Sequence, residues 1–151
     1  MFKNLFLTFI IGLLSTQSIL ANSPLPIKNQ DVSPEQLKSQ NKEISKLVAE
    51  ELSKNLPQEI DKYTKLTKVD SEEANIIYTF EINTGAKSDM AVQKEDHLRM
   101  KEAVTRGVCQ SSKRFMDAKI TIRYIYLSSK SKSNLFQFDI NQAICFKLSG
   151  N

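Results

Sequence analysis

Four segments of this sequence, 60–69, 75–82, 119–127 and 135–140, have the residue types and alternation of strands, and they come in two pairs. In 75–82, Ile76, Tyr78, Phe80 and Ile82 alternate with Ile77, Thr79 and Glu81. In 119–127, Ile120, Ile122, Tyr124 and Tyr126 oppose Thr121, Arg123, Ile125 and Leu127, and Phe136, Phe138 and Ile140 share one side of the last segment. A side-chain period of two puts each set on one face of a sheet, so one face is expected to be buried. The first segment, with Thr64 and Leu66, is rich in β-branched and aromatic residues. The polar stretches "DSEE" and "SSKSKSN" join the segments into two hairpins.

Each pair follows a helical pattern. Ser33-Pro34-Glu35-Gln36 opens the first: Ser33 is placed to cap it, Pro34 suits the first helical position, and Gln36 completes a capping box. Leu37, Ile44, Leu47, Val48 and Leu52 then recur as one apolar stripe. Pro57 pushes the residue before it out of helical backbone and ends the helix. A second helix is predicted from Ser88 or Asp89 to Val108, with Val92, Leu98, Val104 and Val108 inward, Gly107 near its end and Cys109 at its end. A short connection carrying Phe115 and Met116 follows. Strands joined by short turns are antiparallel, so the expected fold is α+β: an αββαββ two-layer domain, a four-stranded antiparallel sheet covered by two helices.

Residues 1–21 have the layout of a secretory signal peptide: Lys3 near the start, an apolar run from Leu5 to Leu14, and Ala21 closing "STQSILA". A membrane anchor needs about 20 apolar residues, and the polar 15–18 stretch cuts this run short. Export with cleavage after Ala21 is expected, with no stable membrane insertion afterwards. The leader contains no cysteine to accept a lipid. Residues 22–32, with Pro24 and Pro26, read as a flexible arm, and 33–148 as a single domain. In an exported chain, Cys109 and Cys145 are most simply one disulfide. Closing a loop of that length stabilises the fold by ~4 kcal/mol on the chain-entropy model.

The chemistry the residues leave out narrows the function. The net charge of +4 is spread along the chain, with no basic stripe interleaved with aromatics for a nucleic acid. His97 is the only histidine and stands among charged helix residues, not in a cluster at metal-ligand spacing. No Gly-x-Ser-x-Gly elbow is present, and none of the four glycines lies in a phosphate loop. Glu59 and Asp61 follow Pro57 in an expected turn, where solvation or a backbone hydrogen bond outweighs an acid–base role. Tyr124 and Tyr126 could stack on a sugar or base, although beside Ile122 core packing is the stronger reading. No catalytic, cofactor-binding or metal residue is expected.

"NLPQEIDKYTKL", "IIYTF", the "VC" at a helix end, "ITIRYIY" and the cysteine of "QAIC" together resemble a widespread group of small exported bacterial domains. The disulfide-bonded pilotins of type II secretion systems are similar in organisation. The resemblance covers 47–146 and rests on Pro57, Thr64, Leu66, Tyr78, Tyr124, Tyr126, Cys109 and Cys145, all of them structural positions. Lys119 falls where the wider group often has a glycine. The resemblance implies a periplasmic, non-enzymatic binding protein without cofactor. Its partner would be a protein, an envelope or outer-membrane secretion subunit, one segment of which it holds and escorts. An edge strand or the groove between helix and sheet could hold that segment. The alternative is a secreted inhibitor or host-directed interaction protein on the same scaffold.

Overall fold

Ser33 caps the first helix in the way its sequence predicts. In the computed structural model, which describes residues 32–150, its hydroxyl accepts from the Gln36 N–H at 3.2 Å and Gln36 Oε1 accepts from the Ser33 N–H at 3.0 Å. The expected leader, and all of the expected arm except Val32, lie outside the described residues. Helix α1 (Pro34–Ser53) buries only part of the stripe its apolar residues mark: Leu37 and Val48 are half-buried, and Val48 packs against the core. Asn41, Ser45 and Ala49 face inward, while Ile44, Leu47 and Leu52 are 40%, 55% and 39% exposed. The buried and the apolar lines are neighbours on one cylinder, and small side chains win because they let the helix lie close to its neighbours. Asn41 Nδ2 donates to the Ala118 carbonyl at 2.6 Å, and Ser53 Oγ to that of Val69 at 2.9 Å.

The segment predicted as one strand over 60–69 begins with a turn. Asp61 Oδ1 accepts from the N–H groups of Tyr63 at 2.7 Å and Thr64 at 2.8 Å, an Asx turn that reverses the chain. The two-residue strand β1 (Gln58–Glu59) therefore pairs antiparallel with Leu66 and Lys65 of β2 (Thr64–Glu72). β2 continues through most of "DSEE", and the hairpin turns at Glu73, whose φ is +51°. β3 (Asn75–Ile82) returns beside it. A register shift between Leu66 and Lys68 lets Leu66 and Val69 both be buried.

Helix α2 (Asp89–Ser111) and the five-residue α3 (Lys113–Asp117), which replaces the expected loop around Phe115 and Met116, carry the chain to β4 (Thr121–Ser128). β5 (Asn134–Ile140) follows by a hairpin, and α4 (Gln142–Ser149) comes last. The sheet has five strands in the order β1-β2-β3-β4-β5. β3 and β4 are parallel, Asn75 opposite Thr121 through Ile82 opposite Ser128. The expected four-stranded antiparallel sheet with two helices is thus corrected, among the described residues, to a mixed five-stranded sheet with four helices. Short turns force antiparallel pairing only within a hairpin. Between the hairpins, a helix of 23 residues rises ~35 Å, more than the ~26 Å of an eight-residue strand. It returns the chain to the end where β3 began.

α1 packs on β2 and β3, and α2 on β5. The core between them and the sheet includes Ile76, Ile120, Ile122, Phe138 and Ile140. Val92 and Val108 of α2 are buried and Val104 half-buried, whereas Leu98, expected inward, is 78% exposed. The buried line of α2 follows 92, 100, 104 and 108, and residue 98 lies off it. Cys109 and Cys145 form the disulfide, with Cα atoms 5.4 Å apart. Cys145 lies on α4, whose N-cap Asn141 accepts from the Ile144 N–H. The bridge therefore joins two helices, α2 and α4.

Lys119 has φ +64°. Its N–H donates to the Met116 carbonyl at 3.0 Å and the Ile120 N–H to that of Phe115 at 2.9 Å, the pair of bonds that closes a helix through a left-handed residue. A glycine, which has no Cβ to crowd the carbonyl, fits there without strain. Two outcomes are expected in chemical denaturation. Lys119→Gly raises stability by about 0.5–1 kcal/mol, while Lys119→Ala, which keeps the Cβ, gives no comparable gain. Replacing both cysteines by alanine lowers it by about 4 kcal/mol, from the chain closed between them; an unchanged midpoint would show that the bridge constrains nothing.

Candidate functional site: an aromatic groove beside α2

The parallel register sets Tyr78 beside Tyr124 and Phe80 beside Tyr126. Their ring centroids are 5.1 and 4.9 Å apart, and Phe80 lies 5.0 Å from Tyr124. These side chains share a face with Leu66, and the five make the floor of an open groove. Met100, Val104 and Val108 of α2 form one wall, and Ile60, Asp61 and Thr64 of the turn before β2 form the opposite rim. The hollow holds about 550 Å³. No α1 side chain lines it, because that helix stops before Pro57. A second hollow of about 420 Å³ meets it at Asp61, Thr64 and Met100 and continues past Ile82, Val92 and Phe136.

Gly107 keeps the wall thin. A Cβ placed on it would meet nothing within 4 Å, so the helix presents open space where a larger residue would fill the groove. Tyr126 and Phe80 are each 6% exposed, and Tyr78 and Tyr124 are half-buried. None of the three tyrosine hydroxyls has a hydrogen-bond partner among the described residues. Burial, with a small contribution from Tyr124, pushes the Tyr78 phenol up to about 12. Burial raises Tyr124 as well, and Tyr126 is raised by burial, then by Tyr124 and the Asp61 charge. The Tyr63 N–H holds the Asp61 carboxyl below its usual range, assisted by Thr64 and opposed by partial desolvation.

Of the residues singled out by sequence, Thr64, Leu66, Tyr78, Tyr124 and Tyr126 are gathered in this groove. Pro57 lies outside it, at the exit of α1. Cys109 and Cys145 line a separate hollow with Met116 and Phe146. Sequence reading missed Met100 and the rim role of Ile60 and Asp61; Met100 lies eight residues from Val92 and Val108, a spacing that could have flagged it. Asp61 makes the backbone hydrogen bonds expected of it. The groove offers aromatic surface and free phenol groups but no thiol or imidazole, and its only carboxylate is Asp61. Among the described residues no group of three or more His, Cys, Asp or Glu could hold a metal ion. Such a surface can bind and orient a ligand.

Residues 39–136 match a family model described as a domain of unknown function, DUF8479. The chain belongs to that family. The DUF8479 match reaches from α1 into β5 and stops short of α4. No curated protein gives a significant sequence match. The fold is shared with solved bacterial structures. A protein of Pseudomonas aeruginosa described as secreted has a TM-score of 0.64 and 13% identity, over 72% of this chain and 96% of that one. The pilotin EpsS of the Vibrio vulnificus type 2 secretion system has a TM-score of 0.62 and 16% identity, over 74% and 96%. The type II secretion pilotin AspS of Vibrio cholerae has 0.56 and 14%, over 74% and 97%. The likeness to pilotins holds for the fold.

The groove tyrosines make the fold sensitive to alkali. An unfolded phenol ionises near 10 and Tyr78 only near 12, so between those values the unfolded chain has lost protons that the native chain keeps. The contribution is fully present below pH 10 and lost as pH rises toward 12. Denaturation followed across that window should show a steeper loss for the native sequence than for Tyr78→Phe; equal slopes would mean that Tyr78 ionises freely in the fold.

Proposed function

We propose that this protein is a non-enzymatic binding and assembly factor of the bacterial envelope, pilotin-like in its task, which holds an apolar segment of a partner protein in the groove beside α2. One observation carries the reading: an aromatic floor is left uncovered between α2 and the 60–64 turn, in a fold shared with two type II secretion pilotins. An extended hollow floored by rings, with few polar groups at the rim, suits apolar anchors of a peptide, which bury large area at modest ordering cost. The partner is an envelope or secretion-system subunit, and the chain works in the periplasm. The bridge between Cys109 and Cys145 favours an oxidising compartment. Among the described residues no helix is long and apolar enough to cross a membrane. A second reading, a protein released to the medium that binds its target through the same groove, draws on the Pseudomonas neighbour described as secreted.

The groove can be blocked without damage to the fold. Gly107→Leu adds a side chain into open space and replaces glycine by a better helix former. A photo-crosslinker placed at Ala103, which lines the groove on α2, is expected in cells of the native host to capture one envelope or secretion subunit. The Gly107→Leu change removes that adduct, and a crosslinker at the outward Lys46 never gives it. Adducts that are indifferent to Gly107→Leu would dismiss the groove. Recovery of the protein solely from the culture medium would favour the second reading.

A further inference from the structure

Among the described residues, Asp61 is the one charged side chain that lines the aromatic groove. Its Oδ1 accepts from the N–H groups of Tyr63 and Thr64, the Thr64 side chain also hydrogen-bonds the carboxylate, and no cation pairs with it among the described residues. No lysine, arginine or histidine lines the same hollow. The cations beside it are already engaged: Lys62 Nζ sits 5.4 Å from the Tyr63 ring centre, and Arg99 pairs with Asp96 at 2.7 Å. The chain as a whole carries 21 Lys and Arg against 17 Asp and Glu, so the one charge lining the groove is opposite in sign to the net charge of the chain. Beside this carboxylate lie the tyrosine rings, whose faces are electron-rich and attract cations.

We infer that the segment held in the groove presents a lysine or arginine among apolar residues, with the cation seated between Asp61 and the tyrosine floor. This rests on the groove being a peptide site. Apolar side chains of the segment cover Leu66, Phe80 and Val104, while the three phenol hydroxyls, free of protein partners, are available to its backbone. An acidic segment would set carboxylate against carboxylate and against the negative face of the rings, which is repulsive. Complementarity of charge therefore selects the partner, and apolar area holds it.

The test is selection of random displayed peptides on the full-length protein, with the Gly107→Leu variant as counter-selection. Support consists of Gly107→Leu-sensitive peptides that carry Lys or Arg between apolar residues. Their affinity falls about threefold when the basic residue becomes methionine or when Asp61 becomes asparagine, a loss of the size that a cation over aromatic rings at an exposed rim gives. Both changes together cost little more than either, as coupled partners do. Asp61→Asn keeps a side-chain carbonyl for the Tyr63 and Thr64 N–H groups, so the turn survives, and an unchanged thermal midpoint verifies it. Groove-dependent peptides that are acidic or uncharged, or that ignore Asp61→Asn, overturn this inference and leave the groove as a peptide site. The absence of any Gly107→Leu-sensitive peptide overturns both.

Discussion

The parallel pairing of β3 with β4 sets the position of everything else. Its register puts Ile76 beside Ile122 at one end and Phe80 beside Tyr126 at the other. The first end, with Ile140, lies under the helices and is nearly inaccessible. The second is floored by rings. A one-residue slip of either strand would turn all of these side chains to the opposite face. There, Arg123 pairs with Asp139 at 2.7 and 3.0 Å, a fixed fork that would be carried inward by such a slip. Hydrophobic burial on one face and a bidentate ion pair on the other specify the same register.

The groove exists because two covering elements stop short. α1 lies close on small residues, Ser45 and Ala49, and ends at Ser53. The chain then has only Gln58 and Glu59 to pair before Asp61 turns it back. No α1 side chain lines the hollow over Tyr78 and Tyr126, and α2, packed on β5, walls it with Met100, Val104 and Val108. The bulge after Leu66 keeps that residue facing the same space. Pro57 thus acts at a distance: by ending the helix it leaves the neighbouring ring surface bare.

Period and chemistry in the sequence made much of this readable. Alternation in 75–82 and 119–127 marked the faces of β3 and β4 because a strand's period is unambiguous over eight residues. The capping box at Ser33 and the single pair of cysteines each admitted one simple structural outcome. The parallel pair was hidden, because helix length and return direction depend on packing and not on any local signal. The inward face of α1 was read only in part, through Leu37 and Val48, for a related reason: Ile44 and Leu47 are more apolar than Ser45 and Asn41, but close approach is decided by size. The role of Asp61 was half legible. A turn-forming aspartate can be recognised from its neighbours, whereas its place at the rim of an aromatic groove exists only after β2 and α2 are brought together.

The two sides of the groove are held by different forces, and this bears on how it binds. The floor is part of a continuous hydrogen-bonded ladder, and the wall ends within two residues of Cys109, which ties α2 to α4. Those parts are ordered before any ligand arrives, so little of the binding energy is spent on arranging them. The rim rests on the Asx turn at Asp61, two N–H bonds to the Thr64 carbonyl and the short β1–β2 pairing. Adjustment to a ligand is cheapest at that rim, which also carries the charge. An apolar segment can therefore dock first on the rigid rings, with the carboxylate closing on it from the side.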